Sequence, residues 1–292
     1  MKKDISIAII GSINLDIVAT VKAFPEPGET VTNAVVHRFP GGKGANQALA
    51  AHRLGASVFM VGRVGNDPAA EEALQTLRSE GVNLSYCKPL EGHATGLAMI
   101  VVNESGENQI VVAPGANAAF DPEHLEVPQT DAKIAQLEVP LETIIKSARA
   151  HDSFFCLNAA PAKPVTQELL EHVDLLVVNE IEARTLGEAL VHYHGLLATT
   201  YGSAGAVLSR DGQQLAKATA PKVNVVDTTG AGDAFTAALT VALVRGIEPQ
   251  AALEEACIVG ALATTKMGAQ SSPLKAEVEA HLRTKANQPE PG

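Results

Sequence analysis

Leu175-Leu176-Val177-Val178 is a short apolar run that passes without a linker into Asn179-Glu180-Ile181-Glu182, the acidic opening of a helix. A run apolar on both faces predicts a strand buried on both sides, and a helix leaving its C-terminal end predicts a parallel sheet covered by helices. The same unit repeats outward from this point. Apolar runs at 133–137, 153–157 and 196–199 are separated by helical stretches such as 141–150 and 181–186. Toward the N-terminus, the run 5–10 ends at Gly11, a helix over 44–54 stops at Gly55, a strand follows at 57–61, and a helix over 68–80 stops at Gly81. The last third is Ala-rich and helical at 231–245, 249–267 and 274–285, and the Pro-rich end 287–292 should fray. Alternation of this kind predicts a three-layer αβα domain with a doubly wound, mostly parallel sheet.

Two excursions interrupt the rhythm. Segments 14–21 and 30–38 read as half-buried strands, and 95–103 with 108–112 form a hairpin about Glu104-Ser105-Gly106-Glu107. They predict a small β lid (13–40 and 94–116) on an αβα core (1–12, 41–93 and 117–286). A second subunit's lid would cover its open edges, which predicts a homodimer formed through the lid.

Composition narrows the ligand. The 292 residues carry 22 Lys+Arg against 33 Asp+Glu, a net charge of −11 without a basic cluster, which opposes nucleic-acid binding. With Trp 0, Tyr 3 and Phe 7 there are few aromatic faces, so a small polar ligand must be read by hydrogen bonds. Cys87, Cys156 and Cys257 form no CxxC, the first residues contain no signal-peptide apolar core, and no apolar stretch reaches the roughly 18–20 residues of a membrane span. A cytoplasmic protein without membrane contact is expected.

The strongest chemical signal is Asp227-Thr228-Thr229-Gly230-Ala231-Gly232-Asp233, expected between a strand at 223–226 and a long helix. The glycines allow successive N–H groups to converge at the positive end of the helix, which makes an anion site suited to a transferring phosphoryl group. Asp233 then stands where a general base could meet a hydroxyl, although a plain capping turn fits the same residues. Gly41-Gly42-Lys43-Gly44-Ala45-Asn46-Gln47 is a second glycine turn into a helix, and its Lys43 and Asn46 suit a polyhydroxyl ligand or, more plainly, a hinge. Asn14 and Asp16, two apart on an extended segment, project from one face and could grip vicinal hydroxyls. Glu182 opens a helix at a strand end, where a carboxylate can hold hydrated Mg²⁺, and Glu138 ends another strand on the same rim. Thr200-Tyr201-Gly202-Ser203-Ala204-Gly205 is small enough for a flat base or phosphate chain to approach its backbone. Walker A, G-x-G-x-x-G, H-E-x-x-H and G-x-S-x-G spacings are all absent, which removes P-loop, dinucleotide, metalloprotease and hydrolase readings.

Taken together, these motifs, with Gly11-Ser12-Ile13-Asn14-Leu15-Asp16, Pro27-Gly28-Glu29-Thr30, Pro114-Gly115-Ala116-Asn117 and Gln136-Leu137-Glu138, resemble the PfkB carbohydrate kinases, and within them the ribokinase branch, nearly end to end. The resemblance implies ATP-dependent phosphorylation of the O5 hydroxyl of D-ribose, with Asp233 as base and the amides of Gly230, Ala231, Gly232 and Asp233 as anion hole. Asn14, Asp16, Gly42, Lys43, Asn46 and Glu138 would hold the sugar. The nucleotide would lie along Asn179, Thr200, Tyr201, Gly202, Ser203, Ala204, Gly205, Gly232 and Cys257, with Mg²⁺ near Glu182. K⁺ would sit behind the anion hole on Asp227, Thr229, Ala263, Lys266, Gly268 and Ser272. A deoxyribokinase or another pentose or nucleoside kinase is the alternative, and a non-catalytic sugar-binding regulator the reading from another class. One departure from the family is the short 183–198 segment, which predicts a short helix or bare loop beside the adenine pocket.

Overall fold

The computed structural model describes residues 4–286. In chain order the strands are β1 (Ser6–Ile10), β2 (Asn14–Thr20), β3 (Val35–Gly41), β4 (Ser57–Val64), β5 (Asn83–Pro89), β6 (Gly96–Val102), β7 (Asn108–Ala113), β8 (Ala132–Gln136), β9 (Phe154–Asn158), β10 (Leu175–Asn179), β11 (Leu196–Thr200), β12 (Ala206–Arg210) and β13 (Gln213–Ala218). The helices are α1 (Lys43–Arg53), α2 (Pro68–Glu80), α3 (Leu141–Arg149), α4 (Gln167–Leu170), α5 (Glu180–Leu186), α6 (Ala231–Val244), α7 (Pro249–Ala263) and α8 (Lys275–Ala286).

Nine strands form the main sheet in the order β13-β12-β11-β10-β9-β8-β1-β4-β5. All pairs are parallel except β11 with β12 and β12 with β13. The pleat of β1 explains the layering. Ile7 and Ile9 pack into the core shared with α1, α2, α6, α7 and α8, whereas Ala8 and Ile10 enter the core shared with α3, α4 and α5. A strand buried on both faces has little room for polar residues, which is why most of the central strands read as apolar runs, with Lys133 and Gln136 of β8 buried against hydrogen-bond partners.

The smaller sheet has the order β3-β2-β6-β7. It starts from β1 itself: Gly11, Ser12 and Ile13 separate the two strands, so the chain passes from the core sheet directly into β2. Both faces of this sheet leave apolar residues exposed, Val36, Met99 and Val111 on one and Val35, Ile110 and Val112 on the other.

Several expectations shift. The strand expected at 30–38 lies later, at Val35–Gly41, and the helix expected to reach 267 ends at Ala263. Residues 223–226 are not a strand. Pro221 has no N–H to donate to a ladder, Val225 and Val226 are exposed, and the N–H groups of Val226 and Asp227 both donate to the Thr264 carbonyl beyond α7. The pattern also misses β5 and β13, the two edge strands, whose outer residues are polar and exposed. Segment 183–198 folds as α5, a six-residue 3₁₀ turn (Gly187–His192) and the buried Tyr193. The Tyr193 hydroxyl lies within hydrogen-bond reach of the Val173 (3.2 Å) and Leu196 (3.1 Å) carbonyls, so the sheet face below is closed despite the short connection. The tail at 287–292 lies outside the described residues.

Candidate functional site

The N-termini of α1 and α6 converge over the C-terminal ends of the parallel strands, the position at which open α/β sheets place ligands. Both helices begin at a glycine in the left-handed region, Gly42 (φ 89°) and Gly230 (φ 78°), and neither end has a side-chain cap. A Cβ on Gly230 would lie 2.2 Å from the Ala269 carbonyl oxygen, so only glycine allows this turn to rest on the loop that follows α7. On α1, the N–H groups of Lys43 and Gly44 already reach Glu138 and Ser12, and that of Ala45 donates to the Ser12 carbonyl. The start of α6 is different: Gly230, Gly232 and Asp233 line a cavity of about 230 Å³ together with Lys43, Asn158, Asn179, Glu182 and Thr228. The Ala231 N–H donates to the Thr228 carbonyl (3.3 Å), and the remaining amides at the positive end of this 14-residue helix suit an anion.

Asp233 is buried and its carboxylate is held at both oxygens. Asn46 Nδ2 donates to Oδ2 (2.9 Å) and Gln47 Nε2 donates to Oδ1 (2.9 Å). Burial pushes the carboxyl above the ordinary range, while Lys43 and these two donors act in the opposite direction. A carboxylate so placed can accept a proton from a hydroxyl that enters the cavity.

Toward the small sheet, Asn14 and Asp16 share one face of β2, opposite Gly41 and Gly96, and Phe39 and Ala98, respectively. Asn117 orients this end: its side chain accepts from Ile13 N (2.9 Å) and donates to Ile13 O (3.1 Å) and Asn14 Oδ1 (2.8 Å). Glu138 Oε2 accepts from Ser12 Oγ (2.5 Å). Asp16 is pushed up to about 7, by burial first and then by the negative charges of Glu138 and Asp233. Lys43 is raised chiefly by Asp233, against desolvation, and remains an ammonium. Four carboxylates, Asp16, Glu138, Glu182 and Asp233, thus surround one lysine, an excess of negative charge that a divalent cation would relieve.

Glu182 serves two purposes. With Asn179 it forms a capping box: Asn179 Oδ1 accepts from Ile181 N and Glu182 N (both 2.9 Å), and Glu182 Oε2 accepts from Asn179 N (2.7 Å). Both residues also line the anion cavity, and burial raises the Glu182 carboxyl.

The second cavity, about 610 Å³, joins the first through Thr200, Thr228 and Gly232. Gly202, Ser203, Gly205, Val223, Val225, Phe235 and Cys257 line it, a narrow, largely apolar slot. Tyr201 is exposed, and neither it nor Ala204 lines either cavity. Behind the anion turn, Asp227 Oδ1 accepts from Thr229 N (2.9 Å) and Oγ1 (2.7 Å), and Oδ2 accepts from Gly268 N (2.9 Å). Ala263 O accepts from Ser271 Oγ (2.7 Å), and Ser272 O accepts from Arg53 Nη1 (2.6 Å). The two loops are therefore tied together, and the oxygens of Asp227, Ala263 and Ser272, each of which accepts a hydrogen bond here, are the donor type that a monovalent cation takes. Lys266 turns its side chain outward to Glu277 (3.2 Å) and could contribute only its carbonyl.

Sequence reasoning missed Ser12, Gln47, Asn117, Gln136 and Asn158 as parts of this site. The first four stand inside motifs that carry the family resemblance, and Asn158 ends β9 as Asn179 ends β10, a polar residue closing an apolar strand.

The pattern of the pfkB family carbohydrate kinases matches residues 4–276. The chain is 40% identical over 289 residues to the ribokinase of Bacillus subtilis (strain 168), covering 94% of this chain and 98% of that one. It is 34% identical over 291 residues to a deoxyribokinase of Salmonella typhimurium (strain LT2), covering 91% and 94%. The solved structure of an Arabidopsis thaliana ribokinase complexed with ribose and ATP superposes with a TM-score of 0.86 at 29% identity, covering 96% of this chain and 99% of that one.

Proposed function

Because the chain belongs to the pfkB family of carbohydrate kinases, we propose that it transfers the γ-phosphoryl group of ATP to the O5 hydroxyl of D-ribose. The observation that carries this reading is the position of Asp233: it stands where the anion cavity meets the sugar-side residues, and that cavity runs on into a slot of nucleotide size.

In the reaction, Asp233 takes the O5 proton as the new O–P bond forms and the bond to the bridging oxygen of ADP breaks. The transition state is loose, so the protein's part is to position the reactants and balance their charge. The Gly230, Ala231, Gly232 and Asp233 amides receive charge on the γ-phosphoryl oxygens. Asn14, Asp16, Gly42, Lys43, Asn46 and Glu138 hold the sugar, and the 610 Å³ slot with Asn179 and Cys257 holds the nucleotide. Mg²⁺, when bound, supplies charge neutralisation between the phosphates, and Glu182 would hold its water shell. K⁺ would rest on oxygens of Asp227, Thr229, Ala263, Lys266, Gly268 and Ser272, directly behind Gly230. The exposed apolar residues of the small sheet, carried on both of its faces, suit pairing with a second copy as a homodimer, with the sheet serving as a lid that excludes water. Three free thiols fit the reducing cytoplasm, and no helix among the described residues is long and apolar enough to cross a membrane.

The deoxyribokinase relative keeps 2-deoxy-D-ribose as a second substrate reading. ADP release by purified protein with Mg-ATP across D-ribose, 2-deoxy-D-ribose, fructose and adenosine, each with and without K⁺, tests both. Turnover highest with ribose, raised by K⁺, and reduced about 10²–10⁴-fold in Asp233→Asn is expected. Turnover with no sugar would withdraw the reading.

A further inference from the structure

Between Asp233 and the centre of the sheet runs a line of buried carboxamides that the phosphoryl-transfer scheme does not use. Gln47, wholly buried on α1, donates through Nε2 to Asp233 Oδ1 (2.9 Å) and to Asn158 Oδ1 (3.1 Å). Its own Oε1 accepts from Gln136 Nε2 (2.6 Å), and Gln136 is wholly buried at the end of β8. The line ends there, because Gln136 Oε1 has no partner.

The sense of this line follows from its charged end. An ionised carboxylate only accepts, so Gln47 must turn its NH₂ toward Asp233, and its carbonyl then needs a donor, which Gln136 supplies. The cost is an unpaired carbonyl at the far end, an arrangement that polar burial ordinarily avoids. The backbone accommodates it: Gly11 lies so close that a Cβ there would stand 1.9 Å from Gln136 Oε1. A chain that needed only to fill this space would use apolar residues. Two glutamines and a glycine keep one donor fixed on one oxygen of the base.

We propose that Gln47, backed by Gln136, is a positioning residue for phosphoryl transfer: the pair fixes the orientation of the Asp233 carboxylate and holds it ionised for the incoming hydroxyl. The proposal rests on the kinase reading above. Around Asp233, burial opposes the ionised form, as do the charges of Glu138, Asp16 and Glu182, whereas Lys43 favours it and the Asn46 and Gln47 donors add to Lys43.

The test uses Gln47→Leu, which removes the donor, and Gln136→Leu, which leaves the donor but removes its support. In ADP-release assays with ribose, Gln47→Leu should lower kcat about ten- to a hundredfold. The acid limb of its kcat/KM profile should move up by about one to two pH units, with the KM for ATP unchanged. Gln136→Leu should move both in the same direction by less. The ¹³C carboxyl resonance of Asp233, assigned with Asp233→Asn, should titrate higher in both variants without substrate. Folded variants with a wild-type acid limb overturn the proposal, whether or not kcat falls, because a packing defect alone would leave that limb in place. If Gln47→Leu does not fold, Gln136→Leu decides on the same readouts. A wild-type protein without sugar-dependent ADP release is a separate failure, that of the kinase reading, and the proposal falls with it.

Discussion

The two halves of the proposed site are built differently. On the sugar side, buried polar side chains hold one another: Asn117 holds Asn14, Ser12 holds Glu138, and Asn46 and Gln47 hold Asp233. On the nucleotide side, the slot is lined mostly by glycines, alanines, valines and short hydroxyl side chains, with Lys222, Phe235 and Cys257 among them. The first half is set before a ligand arrives, and its affinity depends on charge and hydrogen-bond geometry. The second relies on shape and on the backbone, which suits a flat base and a phosphate chain. Perturbations should therefore separate by half, and those at the junction should strike the chemistry rather than the binding of either ligand.

The turn that opens α6 lies at that junction, and substitution of its Gly230 should have the largest effect of these perturbations. Alanine would be strained at φ 78° and would meet the Ala269 carbonyl at 2.2 Å, so the turn must shift and its amides with it. Gly230→Ala should lower kcat about 10²–10³-fold, as the loss of a preorganised anion donor does, while ribose still binds. Calorimetric ribose affinity beside ADP-release kinetics measures this. A variant with normal kcat would mean that the amides of this turn do not face the transferred group, and the contrast between halves would lose its centre.

A smaller effect, confined to the sugar half, follows from Asp16. Its carboxyl is pushed up to about 7 from the ordinary 3.8. Between those values the folded, ligand-free protein keeps a proton that the unfolded chain has lost, so this group's contribution to stability declines as pH rises from about 4 to 7. Sugar hydroxyls donating to both Asp16 oxygens need the ionised form, so ribose held in that way should bind about tenfold more tightly at pH 8 than at pH 6. ATP affinity, set in the other half, should stay flat. Titration calorimetry of each ligand alone at several pH values checks this, and a matching trend for ATP would show that the halves share their charge.

How much of this could be read from the sequence depends on what each residue is buried against. The central strands are apolar on both faces and announced themselves, whereas the edge strands β5 and β13 carry polar outer residues that resemble loop. The run at 223–226 misled for the opposite reason: it is apolar, yet Pro221 and the bonds to Thr264 hold it off the sheet. In the site, the glycine turns pointed to Lys43, Asn46 and Asp233, because glycines just before a helix let its first amides and side chains face a ligand. Gln47, Gln136 and Asn158 left no such mark, since an amide within a helix or at a strand end is recognisable only through its partner, 89 residues away in the case of Gln47 and Gln136. Asn179 and Glu182 were legible as a pair, but the pattern for a ligand and the pattern for a capping box are the same residues, and here they form the capping box and also line the cavity.

The outer wall of the nucleotide half gives the smallest expected effect and the closest test of the contrast. The short 183–198 segment threatened to leave β10 and β11 uncovered, and Tyr193 closes the gap, with Gly195 making room for its hydroxyl, since a Cβ there would stand 2.3 Å from that oxygen. Tyr193→Phe keeps the ring and loses only the reach to Val173 and Leu196, so thermal or urea unfolding should record a loss of about 1 kcal/mol. Those bonds lie outside both cavities, and a slot shaped by backbone and small residues has no reason to respond, so the KM for ATP should not change. A several-fold rise in that KM would make the shortened segment part of the nucleotide wall, and this half would then depend on side-chain hydrogen bonds as the sugar half does.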